Sequence, residues 1–192
     1  VKQLALACHN YADTHEGKLP PAVVYGPDGT PLYGWRVLLL PYIEQDELYR
    51  EFHLDEAWDS PHNVRLLERM PATYAAPSYK RSRLPPNHTV IHVFVGPGTA
   101  FEGPGGVPLQ DFPDGMSNTF LLVEAGDPVP WTKPEDIAYA PDRPVRLAGL
   151  FHDGFRAALA DGSVWFVRKM TSEARLRAAI TRNGGEPVGW DW

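Results

Sequence analysis

No stretch of this chain approaches the roughly 20 consecutive apolar residues that cross a bilayer, so none of its 192 residues spells a membrane-spanning helix. Concentrated positive charge is also missing: the longest basic run is the interrupted Lys80-Arg81-Ser82-Arg83, and 18 Lys and Arg face 24 Asp and Glu for a net charge of -6. Phosphate recognition needs dense cationic surface, so nucleic acid is excluded as a partner. A single cysteine, Cys8, rules out an intrachain disulfide and a cysteine-built zinc site, and leaves the compartment open. Catalytic signatures are absent as well. No Gly-x-Ser-x-Gly elbow surrounds Ser117 or Ser163, so His152-Asp153 with either serine makes no hydrolase triad. Gly103-Pro104-Gly105-Gly106 is not followed by the Lys-Ser/Thr of a phosphate loop, and His9 and His15 miss the i, i+4 spacing of a helical zinc pair. The expectation is a protein that is not an enzyme and needs no cofactor.

What is present is core material and stiff loops. Hydrophobic residues make up 43% of the chain and charged residues 22%, enough to bury a core rather than remain disordered. The 20 Pro and 17 Gly gather between the periodic segments, as in Gly26-Pro27-Asp28-Gly29 and Gly96-Pro97-Gly98. Short elements joined by long loops follow from that distribution. With no internal repeat and no linker, residues 1–192 read as one domain.

The pattern is α+β. Leu4, Cys8 and Tyr11 fall at i, i+4 and i+7 and mark an amphipathic helix that ends near His15, with Gly17 as its stop. This helix opens without a Ser, Thr, Asp or Asn cap, which predicts an apolar helical segment ahead of Val1 and solvent exposure along part of the stripe. Trp35–Leu40 predicts a short buried helix broken at Pro41. Ser60-Pro61 predicts a helix start that runs to Met70 with Val64, Leu67 and Met70 inward. Thr89–Val95 and Phe120–Glu124 are β-branched strands. Phe155–Ala160 and Ser163–Arg168 flank Asp161-Gly162, a strong hairpin signal. One face of that hairpin is expected to meet the first helix near Leu4, Cys8 and Tyr11. A last helix spans about Thr171–Arg182, with Leu176, Ala179 and Ile180 inward.

Several segments together resemble one family: Leu-Ala-Leu-Ala-Cys-His-Asn-Tyr from Leu4, Gly-Trp-Arg-Val-Leu-Leu-Leu-Pro-Tyr-Ile-Glu-Gln from Gly34, Phe-His-Leu-Asp-Glu-Ala-Trp-Asp-Ser-Pro-His-Asn from Phe52, Phe-Val-Gly-Pro-Gly-Thr-Ala-Phe-Glu-Gly from Phe94, Asp-Gly-Met-Ser-Asn-Thr from Asp114 and Ala-Asp-Gly-Ser-Val-Trp-Phe-Val from Ala160. The resemblance is to the bacterial pilin-like family catalogued as domain of unknown function 1559, whose members carry a prepilin-type cleavage and methylation signal. It implies a pilin-like fold, a long N-terminal helix packed on an antiparallel sheet, with residues 1–15 as the remainder of that helix. It also implies a subunit or surface-displayed head of a type IV pilus or type II secretion pseudopilus-like assembly in the cell envelope. Its partners would be copies of itself or related subunits, and its anchor a membrane helix. Leu4, Cys8 and Tyr11 would then belong to the polymerisation helix.

The alternative is a membrane-anchored extracytoplasmic module that binds glycan or calcium. Asp111, Asp114, Ser117 and Asn118 share one loop, with Glu124 and Asp127 along the adjoining strand; oxygen ligands at such short spacings suit Ca²⁺. The spacing is not that of an EF-hand, and the same residues make good turns. Among six Trp, Trp35, Trp58 and Trp165 sit in periodic segments and are expected in the core. Trp131, Trp190 and Trp192 lie in loop or tail, where they either pack under loops or offer rings to a polysaccharide or a partner subunit.

Overall fold

The computed structural model describes residues 1–75, 84–145, 147 and 153–186. The chain opens with α1 (Lys2–Thr14), whose Leu4, Ala5, Ala7, Cys8, Tyr11 and Ala12 are buried. The helix closes where the Thr14 hydroxyl donates back to the Tyr11 carbonyl (3.0 Å) and Gly17 N–H donates to the Ala12 carbonyl (2.9 Å). A small hairpin follows, β1 (Val23–Tyr25) and β2 (Pro31–Gly34), and then α2 (Trp35–Leu38) and α3 (Asp46–Glu51). Residues 60–70 do not form the expected α-helix. Asn63–Arg69 is a 3₁₀ helix, and its three-residue period brings Asn63 and Leu66 inward while Val64 is exposed. Asn63 is buried because its amide bridges the main chain at His53, accepting from His53 N–H and donating to the His53 carbonyl.

The main sheet is antiparallel, in the order β3 (His88–His92), β5 (Phe120–Pro130), β7 (Gly154–Leu159), β8 (Val164–Arg168). A parallel pair, β4 (Phe94–Val95) with β6 (Ile137–Ala138), sits apart from it. The hairpin forms as expected: Phe155 pairs with Val167, Ala157 with Trp165 and Ala158 with Val164, and Gly162 takes φ +82 in the turn. The sheet is covered on both faces, which is why β5 reads as an unbroken buried run from Phe120 to Gly126 rather than an alternating one. On one face Ala158 and Ala160 join Leu4, Cys8, Tyr11, Trp35 and Phe101 in the larger core. On the other, Phe155, Ala157, Leu159 and Val167 pack with Ala179 and Ile180 of α4 (Glu173–Ile180). The hairpin therefore does meet α1, through Ala158 and Ala160, while the Phe155–Leu159 set meets α4.

The pilin-like arrangement expected from the resemblance is not what forms. The helices are short, α1 having 13 residues and α4 having 8, and among the described residues no long helix lies along the sheet. α1 ends at the turn after Thr14, and the loop-rich stretch from Leu19 to Tyr74 supplies much of the core around it. The α+β class and the antiparallel main sheet hold. Exposure of the α1 stripe is also corrected, since Leu4, Cys8 and Tyr11 are all enclosed by their own chain. Among the described residues no helix is long and apolar enough to cross a membrane.

Candidate functional site

The densest polar chemistry lies where β5 leaves its register with β3. Thr89 pairs with Val129, yet Ile91, only two residues on, pairs with Glu124, so Ala125–Pro128 loops out of the ladder. Gly126 makes this possible with φ +103 and by approaching the His92 ring, where a Cβ would fall 3.0 Å from the ring. The loop walls a cleft of about 630 Å³ lined by His92, Asp127, Glu135, Asp136, Val129 and Ile137, among others. Beneath its floor runs a buried ion pair: Arg36 Nη2 donates to Asp136 Oδ1 at 2.7 Å, both side chains nearly inaccessible. Asp136 also accepts from Trp35 Nε1 (3.1 Å) and Val93 N–H (3.0 Å). Arg36 also donates to the Ile91 carbonyl, at 2.7 and 3.2 Å, and through Nη1 to Asp136 Oδ2 (3.4 Å) and the Lys133 carbonyl (3.5 Å). His92 Nε2 donates to the Asp127 carbonyl (2.9 Å), and its Nδ1 accepts from Arg36 Nη2 (3.4 Å). Both imidazole nitrogens and both Asp136 oxygens are thus committed within the fold. This network ties α2 to β3 and to the segment before β6; it has no free base or nucleophile to offer a substrate.

The calcium candidates do not converge. Asp111 accepts from Arg182 Nη2 at 3.0 Å, so a cation of the chain's own already holds its carboxylate. The Asp114 carboxylate accepts from Gly185 N–H (3.1 Å), while its carbonyl takes the Asn118 amide (2.6 Å). Ser117 and Asn118 lie in a 3₁₀ turn, Met116–Asn118. Glu124 is buried within β5, and Asp127 is exposed beside the cleft. No group of three or more His, Cys, Asp or Glu side chains placed to hold a metal ion exists among the described residues.

The tryptophans divide between core and surface. Trp131 is fully buried, stacked on Tyr74 (5.6 Å between centroids) and edge-on to Phe52, with its Nε1 donating to the Leu67 carbonyl. It has no face left for a sugar. Trp35 is in the core as expected, whereas Trp165 is 36% exposed. Trp190, Trp192, His152 and the basic run Lys80–Arg83 lie outside the described residues. Burial pushes the Cys8 thiol well up, as suits a small core residue rather than a nucleophile.

An exposed apolar margin lies on the side where α1 meets the β7–β8 hairpin. His9 Nε2 donates to the Ala160 carbonyl (2.8 Å), and Leu6, His9, Lys2 and Gln3 border a shallow, largely apolar cleft with the hairpin tip, Asp161-Gly162. Leu6 is 60% exposed, Val164 38% and Phe166 45%. Val164 lies opposite Ala158 and Phe166 opposite Arg156, so both side chains share the sheet face on which α1 rests. Periodicity did not reveal this patch: Leu6 stands off the α1 stripe, and β8 alternates apolar residues toward both faces. Its signal was the unbroken Val164-Trp165-Phe166-Val167 run in a strand at the end of the hairpin.

An α+β protein with an antiparallel main sheet and an exposed apolar margin is what these features define. The family described as protein of unknown function (DUF1559) matches residues 1–148, and the chain belongs to that family. No curated protein matches it. No solved structure matches it either.

Proposed function

We propose that this protein is a non-enzymatic subunit of a bacterial cell-envelope assembly of the type IV pilus or type II secretion pseudopilus kind, which meets its neighbours through the margin formed by α1 and β8. The observation that carries the reading is the concentration of exposed Leu6, Val164 and Phe166 on one side of the sheet. Exposed apolar area gathered at one place on a polar surface marks a protein-contact site. The segments quoted above, which resemble a family carrying a prepilin-type signal, supply the envelope context. Leu4, Cys8 and Tyr11 are spent on the core, so in this reading assembly runs through the margin rather than through the apolar stripe of α1. The ligand-binding alternative is not adopted, because Trp131 is buried and the loop acids are dispersed.

The test is made in the host cell with the whole gene product. A tagged protein carrying Leu6→Cys or Phe166→Cys is expected in the envelope fraction, cross-linking to itself or to another family member identified by mass spectrometry. Confinement to the cytosol, with no such adduct, would refute the proposal.

A further inference from the structure

β8 is the outer strand of the main sheet. Leu159 N–H donates to the Ser163 carbonyl, and Lys169 N–H donates to the Asp153 carbonyl. An antiparallel ladder alternates hydrogen-bonded and non-bonded pairs, so the main-chain groups of residues 163, 165, 167 and 169 point toward β7. Those of Val164, Phe166 and Arg168 then point outward. The Arg168 carbonyl is taken by Thr171 N–H (2.9 Å). The N–H and C=O groups of Val164 and Phe166 meet no protein partner among the described residues. Natural edge strands are ordinarily guarded by a charge, a proline or a bulge. From Ser163 to Val167 this one has none of the three, and its register with β7 is unbroken.

We infer that β8 adds to β8 of a second copy of this chain, antiparallel about a two-fold axis at Trp165, extending the sheet across two molecules. The inference rests on the reading of the α1–β8 margin as an assembly surface and names the occupant of its strand edge. The register follows from the chain. Setting Val164 against Phe166 of the second copy uses the outward main-chain groups that have no partner among the described residues, each pair exchanging N–H···O bonds in both directions, and leaves the Arg168 carbonyl in its turn. That same register brings Asp161, at the hairpin tip, beside Lys169 of the second copy, and does so twice by symmetry. Arg168 falls opposite Gly162, so no like charges face each other. Val164 meets the Phe166 ring across the strands, and each Trp165 meets its own copy at the axis. Within one chain Asp161 and Lys169 stand at opposite ends of β8, more than about 20 Å apart at strand rise, so their complementarity serves contact between copies. A partner of other sequence would need this charge order supplied; a second copy brings it.

Sedimentation of the 192-residue chain over a concentration series reads the dimer, and hydrogen exchange at Val164 and Phe166 reads the strand edge. A concentration-dependent dimer is expected, with exchange at those two amides slowing as it forms. Val164→Pro removes an N–H that points away from β7, so the hairpin persists and the dimer is lost. Lys169→Asp raises the dimer dissociation constant about tenfold by setting acid against acid, whereas Lys169→Arg, which keeps the positive charge, leaves it unchanged. Should Val164→Pro fail to fold, the exchange series in the unaltered chain decides alone: protection growing with concentration supports the pairing, and rapid exchange throughout overturns it. A monomer at all concentrations, or a dimer indifferent to Val164→Pro or to Lys169→Asp, overturns it too. A chain monomeric by itself that still cross-links in the envelope to another family member would overturn self-pairing and leave the proposed function standing.

Discussion

Replacing Asp136 by Ala removes the acceptor on which three residues, two from α2 and one from the junction of β3 and β4, converge. Trp35 Nε1 from α2, Arg36 Nη2 at 2.7 Å and Val93 N–H at 3.0 Å all donate to this one carboxylate. Each is a hydrogen bond to a charged group, worth about 1.5–3 kcal/mol when deleted singly. These values do not add, because Arg36 keeps its bonds to the Ile91 carbonyl and the site can admit water. Removal of one member of a buried ion pair leaves the other charged and uncompensated, at a cost of about 3–5 kcal/mol. For a chain of this length that lowers the melting temperature by about 6–20 °C.

Thermal unfolding followed by circular dichroism at neutral pH measures the fall. A second variant sharpens the reasoning: Arg36→Met with Asp136→Leu removes both charges and fills the space with apolar groups, so it is expected to be more stable than Asp136→Ala. The argument fails if Asp136→Ala lowers the melting temperature by less than about 2–4 °C, the equivalent of 1 kcal/mol. It fails also if the double variant is the worse of the two, since the penalty would then come from shape rather than from orphaned charge.

Cys8 is buried with its thiol pushed well above the ordinary range, so it is expected to resist thiol reagents in the folded protein and react once denaturant is added; prompt stoichiometric labelling without denaturant would refute its placement. Burial also raises the phenols: Tyr33 is pushed up to about 12, and Tyr11, Tyr49 and Tyr74 move the same way. The folded state therefore holds these protons more tightly than the unfolded chain, whose tyrosines titrate near about 10. That stabilising contribution is complete below about pH 10 and disappears as pH rises toward about 12, so the urea midpoint is expected to fall over this window; buried phenols titrating near 10 in the folded protein would contradict it. Added calcium or chelator is expected to leave the melting temperature unchanged, because Arg182 holds Asp111 and Gly185 N–H holds Asp114. A calcium-dependent rise abolished in Asp114→Ala would reverse that conclusion.

Legibility in the sequence followed the range of each interaction. The β7–β8 hairpin was legible because its turn is local: Gly162 takes the left-handed conformation and Asp161 Oδ1 accepts from Ser163 N–H two residues on. α4 was legible for the same reason, with the Ser172 hydroxyl accepting from Arg175 N–H at its start. The segment from Ser60 was misread in phase: it carries helix-forming residues, but the buried amide of Asn63 fixes a 3₁₀ winding through contacts with His53 and Ala57. Asp111 and Asp114 looked like free loop acids, since the groups that occupy them, Arg182 and Gly185, lie 71 residues along the chain. Arg36 and Asp136 are 100 residues apart, and nothing local to either announces the other. Trp131 stood among loop residues in the sequence, and only Tyr74 and Phe52 arriving from elsewhere make it core.

The two faces of α1 limit what this helix can do beyond its own chain. Its inner face, from Leu4 through Ala12, is closed over by the larger core. Opening that face to a neighbouring subunit would re-expose several fully buried side chains, each worth about 1.5–3 kcal/mol against water. The outer face is polar, carrying Lys2, Gln3, Asn10 and Asp13, and Leu6 is the one large apolar residue exposed on it. A lone leucine on a polar helix gives too little area for association. Leu6 gains weight because it borders the hairpin tip, beyond which Val164 and Phe166 continue an exposed apolar course on the same face of the sheet. A contact that covers Leu6 from the hairpin side leaves the core closed. That approach brings it onto β8, whose outward main-chain groups can bond a new strand while α1 keeps its place.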